Sequence, residues 1–156
     1  MSHDIENKIY STFAEVASAI GYSPLHGKII GVLLVKGGPV TLNDLAKLTG
    51  YSTGMVSLSL DLLEVLGVIK KIKKESDRKL YVELCGDLLE CLKRAIVIKV
   101  EKSIGNSLVD FEGAEKELGK LEGEEAEQAK KTLKILRAQL ERLNRYIKLL
   151  SAIKLP

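Results

Sequence analysis

The densest group of chemically active side chains in this 156-residue sequence is a run of cations at residues 70–79. Six basic residues stand against Glu75 and Asp77, and six minus two gives a formal charge of +4. The cations are Lys70, Lys71, Lys73, Lys74, Arg78 and Lys79. Such side chains bind phosphate groups through charge-assisted hydrogen bonds, but the same composition also protects an exposed strand against aggregation. Both interpretations are open on these residues alone.

The preceding stretch, STGMVSLSLDLLEVLG at residues 52–67, contains no Lys and no Arg. Helical periodicity places Val56, Leu60 and Leu63 on one side, as a core face. The polar residues on the wheel form a narrow arc made of Thr53, Gly54, Ser57, Asp61 and Glu64. A second apolar arc consists of Met55, Leu58, Leu62, Val65 and Leu66. We therefore expect this helix to be packed on two sides, with only the polar arc exposed.

The elements around these two stretches follow from periodicity and capping residues. We predict helices over about 4–20 and over 24–36, and a third helix that opens at Thr41 and ends at Gly50. Ser52 caps the fourth helix, and the short turn with Gly50 makes a helix-turn-helix. Two β-type runs within 68–84 predict a two-stranded hairpin around the basic run. The fold class is therefore mainly α with a small β-hairpin.

The C-terminal half is predicted to be helical with an interruption. Asp87 and Glu90 form a capping box for a helix that runs to about Gly105. Residues 105–123 contain four glycines, which predicts a break or a short helix between breaks. The last helix, over about 124–153, has apolar residues spaced alternately by three and four, the seam of a coiled coil. The seam comprises Ala126, Ala129, Leu133, Leu136, Leu140, Leu143, Ile147 and Leu150.

The length of the last helix implies that another helix covers its seam. About 30 residues form a rod of about 45 Å, which one small domain cannot bury. The partner is either the helix that begins after Asp87 or a second copy of the chain. We expect a homodimer built from the N-terminal and C-terminal helices. The predicted dimerisation residues are Ile5, Ile9, Phe13, Leu133, Leu136, Leu140, Leu143, Ile147 and Leu150.

Composition and motifs speak against an enzyme, a metal site, a cofactor and a membrane span. The net charge is only +3, and no apolar run is long enough to cross a bilayer. The N-terminus lacks the layout of a signal peptide, so we expect a cytoplasmic protein. Cys85 and Cys91 have neither redox nor zinc spacing, and we interpret them as reduced thiols. His3 lies near the terminus, and His26 follows a helix-starting proline, where capping or packing is expected.

Helix-turn-helix, basic hairpin and long flanking helices, in this order, resemble the MarR-type winged-helix regulators, most of all the GbsR-like branch. The resemblance covers residues 24–84. Its motif S-x-G-x-V-S-x-x-L-x-x-L is followed by a glycine and by D-R-K with an aromatic residue. The matching residues are Ser52, Gly54, Val56, Ser57, Leu60, Leu63, Gly67, Asp77, Arg78, Lys79 and Tyr81. Thr53 and Asp61 stand where members of this family often carry a basic residue.

The resemblance implies a dimeric transcription factor, bacterial or archaeal, that binds double-stranded DNA with two-fold symmetry. Residues 23–85 would form the DNA-binding domain, and 1–22 and 86–156 the dimerisation regions. In the major groove we expect Ser52, Thr53, Gly54, Ser57 and Leu58. The six cations of 70–79 would bind the DNA backbone, with Arg78 in the minor groove. A small-molecule effector is also implied.

A second interpretation stays open beside the DNA-binding one. The acids and the apolar flank of residues 52–67 would also suit a winged-helix module that binds a protein and no longer reads DNA sequence. On the DNA-binding interpretation, the short uncharged arc predicts modest sequence specificity and a strong dependence on salt.

Overall fold

The computed structural model describes residues 1–156 as six helices and one small sheet. The helices are α1 (His3–Ala19), α2 (Pro24–Lys36), α3 (Leu42–Thr49), α4 (Thr53–Val65), α5 (Leu88–Leu118) and α6 (Glu124–Ala152). The strands are β1 (Val40–Thr41), β2 (Ile69–Lys73) and β3 (Leu80–Leu84). This is the predicted mainly helical winged helix-turn-helix. None of the helices has an apolar stretch that could span a bilayer.

The chain forms two compact units, Met1–Leu92 and Lys93–Pro156. The first contains α1 to α4 and the sheet, and the second contains most of α5 and all of α6.

The predicted caps define the starts of α2, α3 and α4. Ser23 Oγ accepts from the Leu25 N–H at 3.3 Å, while the Ser23 N–H donates to His26 Nδ1 at 3.1 Å. Thr41 Oγ1 caps α3, and Ser52 Oγ caps α4 by accepting from the Met55 N–H at 3.2 Å. His26 therefore has a capping role, one of the two roles expected for it, capping or packing.

The sheet has three antiparallel strands in the order β1-β3-β2, and not only the two of the predicted hairpin. Val40 pairs with Val82 and Thr41 with Tyr81. A two-residue strand is too short to show alternation in the sequence, so β1 was missed. Thr41 thus pairs in the sheet through its backbone and caps α3 through its side chain.

The core of the first unit joins α2, α3, α4 and the sheet. As predicted, Val56, Leu60 and Leu63 lie on the buried face of α4. The most deeply buried side chains around them include Leu25, Ile29, Val32, Leu33, Leu45, Val68, Ile69 and Val82. The sheet and α2 enclose one side of α4 and hold its orientation.

The prediction that α4 is packed on two sides is wrong for this chain. In the second apolar arc, Met55 is 50% exposed, Leu58 74% and Val65 75%. Only Leu66 of that arc is buried. Periodicity identifies an apolar arc but does not say what covers it.

α1 packs closely on α2 because two glycines replace side chains at the crossing. A Cβ on Gly27 would lie 2.0 Å from the carbonyl oxygen of Phe13, and one on Gly31 would lie 3.3 Å from Tyr10 Cα. The buried residues of α1 are Tyr10, Ala14 and Ala17. The sequence signal was present, since the glycines are four residues apart on one face of α2.

In the second unit, the helix break predicted within 105–123 is wrong for residues 105–118, which belong to α5. α5 continues through Gly105 and Gly113, at a cost of about 1 kcal/mol each relative to alanine. Ile104, Leu108 and Phe111 keep helical spacing and are buried or half-buried, so the apolar stripe of the helix is not interrupted. The chain turns at residues 119–123, where Gly123 has a positive φ.

α6 lies antiparallel to α5 of the same chain. Arg137 Nη1 donates to Glu115 Oε2 at 2.8 Å, and Lys93 Nζ donates to the Ile153 carbonyl at 2.9 Å. Ile147 is buried, and Leu133 and Leu140, on the same side of α6 as Arg137, are half-buried. The same-chain alternative therefore accounts for five of the eight predicted seam residues, since Ala126 is also buried and Ala129 is half-buried. The other three, Leu136, Leu143 and Leu150, are exposed.

We expect Gly27→Ala to destabilise the protein by about 3 kcal/mol or more, since the new methyl group collides with backbone atoms that cannot rotate away. Gly54→Ala is the matched control, because a Cβ there meets nothing within 4 Å. It should leave stability unchanged or raise it by about 0.5–1 kcal/mol. Urea unfolding followed by circular dichroism measures both. Equal stability of the two variants would contradict the close crossing of α1 and α2.

Candidate nucleic-acid interface

The start of α4 is an open helix end. Ser52, Thr53 and Gly54 are all exposed, and the hydroxyl of Ser52 is used for capping. The first N–H groups of a helix and its dipole favour an anion at this end. The space beside Gly54 is empty, so its lack of a side chain answers no packing need within the chain. An external group could approach this backbone closely.

The outward side of α4 continues this surface for two further turns. Ser57 is half-buried, whereas Leu58 and Asp61 are exposed. The surface presents hydroxyl, aliphatic and carboxylate groups but no cation. The attraction for a polyanion must therefore come from other elements.

Lys71 of β2 neutralises part of the negative charge of α4. Its Nζ lies 2.5 Å from Asp61 Oδ1 and 3.8 Å from Glu64 Oε1. The hydrogen bond to Asp61 is the main cause that raises the pKa of Lys71, and the charges of both acids add to it. Lys71, predicted to contact DNA, is thus engaged by two acids of its own chain.

Lys70 is also paired. Its Nζ lies 3.0 Å from Glu83 Oε1, in the neighbouring strand and at the paired register position. Hydrogen bonding to Glu83, together with the charge of Glu83, raises the pKa of Lys70. Neither pair was predicted, because strand register and the packing of β2 on α4 decide them.

The hairpin tip between β2 and β3 is shaped by Asp77. Its carboxylate accepts from the Lys79 N–H at 3.0 Å and from the Tyr81 hydroxyl at 2.8 Å. These hydrogen bonds, that of Lys79 first, hold the pKa of Asp77 below its usual range. Lys74 Nζ lies 4.2 Å from the centre of the Tyr81 ring. Asp77 therefore shapes the turn, and Arg78 projects from the braced loop as an exposed residue.

The formal charge around the hairpin is lower when the acids that pair with its cations are included. Six cations stand against Glu75, Asp77, Asp61, Glu64 and Glu83, and six minus five gives +1 in place of +4. The cations without an ion pair are Lys73, Lys74, Arg78 and Lys79. We call these four the tip cations. Positive charge is thus concentrated at the tip and does not extend along the whole hairpin.

The predicted dimerisation residues lie on two helices, α1 and α6. Ile9 packs against the core of its own unit, and Phe13 is half-buried, whereas Ile5 is exposed. On α6 the exposed apolar residues form a broader face than the predicted seam. We call this the outer face of α6: Ile135, Leu136, Leu143, Tyr146, Leu149 and Leu150, with the C-cap residue Ile153, which are 37 to 68% exposed. Tyr146, Leu149 and Ile153 follow one another at spacings of three and four beside the predicted seam, and this spacing could have revealed the broader face.

The two thiols and the acidic side chains do not indicate another kind of functional site. Cys85 is half-buried with its Sγ 3.6 Å from the Gly67 carbonyl oxygen, and Cys91 is buried. No group of three His, Cys, Asp or Glu side chains is placed to hold a metal ion.

Comparison with known proteins identifies the fold. No family model and no curated protein matches this sequence. A crystal structure described as a transcriptional regulator is similar with a TM-score of 0.62 at 17% identity, over 92% of this chain and 93% of that chain. This similarity shows that the two chains share a fold.

More distant solved structures carry less weight. A mutant of S. aureus MepR bound to an oligodeoxyribonucleotide has a TM-score of 0.44 at 21% identity, over 87% of this chain and 92% of that one. NadR in complex with 4-hydroxyphenylacetate has a TM-score of 0.42 at 18% identity, over 76% of this chain and 89% of that one. At these scores neither supports an argument about this chain.

We expect the Lys79 amide proton to report the titration of Asp77. Because the folded pKa lies below the ordinary value of 3.8, the two hydrogen bonds are fully present above that pH. They are lost as the pH falls through the folded pKa. A series of nitrogen-15 correlation spectra from neutral to acid pH should show the Lys79 shift moving with a midpoint below 3.8. Asp77→Asn should abolish the step, and a midpoint above that value in the unaltered protein would contradict the bracing of the tip.

Proposed function

We propose that this chain is a homodimeric transcriptional regulator of the MarR type that binds double-stranded DNA. α4 lies in the major groove, and the wing, residues 69–84, contacts the backbone and the minor groove. The observation that carries this proposal is the braced wing tip. Four cations without an ion pair project from the same compact unit that exposes the outward side of α4.

The two elements divide the recognition of DNA between them. The helix start at Ser52, Thr53 and Gly54 suits a phosphate, because N–H groups and the helix dipole act there without a side-chain charge. Arg78, at the end of the wing, is the residue for the minor groove, where the negative potential favours arginine. Lys73, Lys74 and Lys79 supply phosphate contacts. Most of the affinity is therefore electrostatic and depends on salt.

The motif shared with the GbsR-like branch supports the assignment to this type of regulator. Its Val56 and Leu60 lie in the core, Ser52 caps α4, and Asp77 binds Tyr81. The motif thus encodes both the position of α4 and the shape of the wing. Control by a small-molecule effector, and action in the cytoplasm on chromosomal DNA, are part of the same proposal.

A second copy of the chain is the partner we propose for the outer face of α6. Seven large apolar side chains on one side of a helix are unfavourable in water, since each square ångström of apolar surface left exposed costs about 25 cal/mol. Two copies related by a two-fold axis would cover this face and present two wings. That arrangement fits a two-fold-symmetric operator.

One observation favours a protein partner in place of DNA. Met55, Leu58 and Val65 leave an apolar strip exposed on α4. A winged-helix module that binds a protein through α4 is therefore the second candidate. The two candidates differ in whether the tip cations are needed.

The double variant Arg78→Ala with Lys79→Ala should weaken binding to every duplex about tenfold or more. It should also lower the slope of log affinity against log salt by about two, since two cations that displace counterions from DNA are lost. Fluorescence anisotropy with labelled duplexes at several salt concentrations measures both. Lys70→Ala is the control, because it removes a wing cation that Glu83 already pairs, and it should change affinity about twofold at most. An unaltered salt slope in the double variant would favour the protein-binding candidate.

Leu149→Glu should convert the dimer to a monomer without unfolding it, because Leu149 is exposed in the single chain and would be buried only between copies. Size-exclusion chromatography with light scattering measures the mass, and circular dichroism the fold. Ser151→Glu adds the same charge two residues further on, outside the outer face, and should remain dimeric. A dimeric Leu149→Glu protein would exclude the outer face as the interface.

A further inference from the structure

We propose that Asp61 is a base-reading residue that accepts a hydrogen bond from the exocyclic amino group of a base in the major groove. The inference rests on the proposed DNA binding and adds a specificity determinant to it. From the sequence alone, Asp61 is notable only because it stands where members of the resembled family often carry a basic residue.

Asp61 lies on the same surface of α4 as residues near the start of that helix. Gly54, Ser57, Leu58 and Asp61 stand at positions i, i+3, i+4 and i+7. This is the pattern of base-contacting positions in the recognition helix of homeodomains, which lies along the major groove. Three of the four are exposed and Ser57 is half-buried. Asp61 therefore belongs to the surface that faces the groove when the start of α4 does.

The negative charge of Asp61 is partly neutralised by Lys71. A free carboxylate would be repelled by the phosphates, but Lys71 Nζ lies 2.5 Å from Asp61 Oδ1. The Lys71 side chain is 26% exposed, so it is held against α4 and is not a mobile surface cation. One lysine faces Asp61 and Glu64, which leaves the group with one negative charge in place of two. Lys71 thereby lowers the cost of bringing Asp61 near DNA.

The carboxylate of Asp61 can accept more hydrogen bonds than it makes within the chain. An ionised carboxylate has two oxygens and accepts about four hydrogen bonds. Lys71 occupies Oδ1, whereas Oδ2 has no partner in the structure and the side chain is 62% exposed. The pair with Lys71 also restricts the rotation of the Asp61 side chain. Asp61 is thus a fixed acceptor that faces solvent.

The chemistry of the base edges selects the donor. The major groove offers hydrogen-bond donors only from the amino groups of cytosine and adenine. In adenine the amino group lies beside the N7 acceptor, which repels a carboxylate, so cytosine is the better partner. Guanine and thymine present only acceptors at this edge, together with the thymine methyl group. Leu58, three residues before Asp61 on the same surface, suits that methyl group.

Selection from a random duplex library tests the proposal with three proteins: the unaltered chain, Asp61→Ala and Glu64→Ala. Each variant removes one acid that faces Lys71, so the two are matched in charge. The unaltered protein and Glu64→Ala should both enrich cytosine at one fixed position in each half-site. Asp61→Ala should bind DNA but accept any base there. Enrichment of adenine through Asp61 would support the amino-group contact and identify adenine as its source.

A single selected duplex then gives the size of the effect. Replacing the selected cytosine by thymine exchanges an amino donor for a carbonyl acceptor. It should weaken binding of the unaltered protein and of Glu64→Ala about tenfold or more, and of Asp61→Ala about twofold at most.

The outcomes separate this proposal from the function on which it rests. If the unaltered protein enriches no duplex, DNA binding itself is excluded. If it enriches a motif that Asp61→Ala enriches equally, the protein binds DNA but Asp61 does not read it.

Discussion

The contact between Lys71 and the two acids of α4 is the interaction on which the rest of the proposed interface depends. α4 has no cation of its own and carries Asp61 and Glu64 on its exposed side. Lys71 can offset them only because β2 runs beside α4 with that side chain turned toward it. Since side chains alternate along a strand, a shift of β2 by one residue would turn Lys71 to the opposite face. The buried Ile69 and Val82 oppose such a shift, so the packing of the sheet also sets the charge of the helix.

Local signals were sufficient to predict the elements but not their partners. α2 begins and ends where its proline and glycine indicated, and the caps at Thr41 and Ser52 are hydrogen-bonded as expected. β1 was missed because its two residues have no periodicity, and its existence depends on β3 lying beside it. α5 passes through Gly105 and Gly113 because its apolar stripe continues, and the cost of two glycines is small beside the packing of a whole helix.

In the candidate site, the residue types could be recognised from the sequence, but the ion pairs between them could not. The cations of 70–79 and the open start of α4 could be recognised from residue types alone. That Lys70 and Lys71 are paired while the tip cations are not depends on register and on which strand faces which helix. The glycines make a similar point, since Gly27 and Gly54 both lie within helices. Gly27 is required by the backbone of α1, whereas Gly54 faces empty space, and only the three-dimensional structure distinguishes them.

The pairing within the wing has a consequence for how the proposed regulator would hold DNA. With a local charge of +1 in place of +4, one copy offers little attraction beyond its tip cations. Two weak contacts joined in one dimer bind far more tightly than either alone, because the second contact forms at a high effective concentration. The outer face of α6 would therefore raise DNA affinity by joining two copies of the chain.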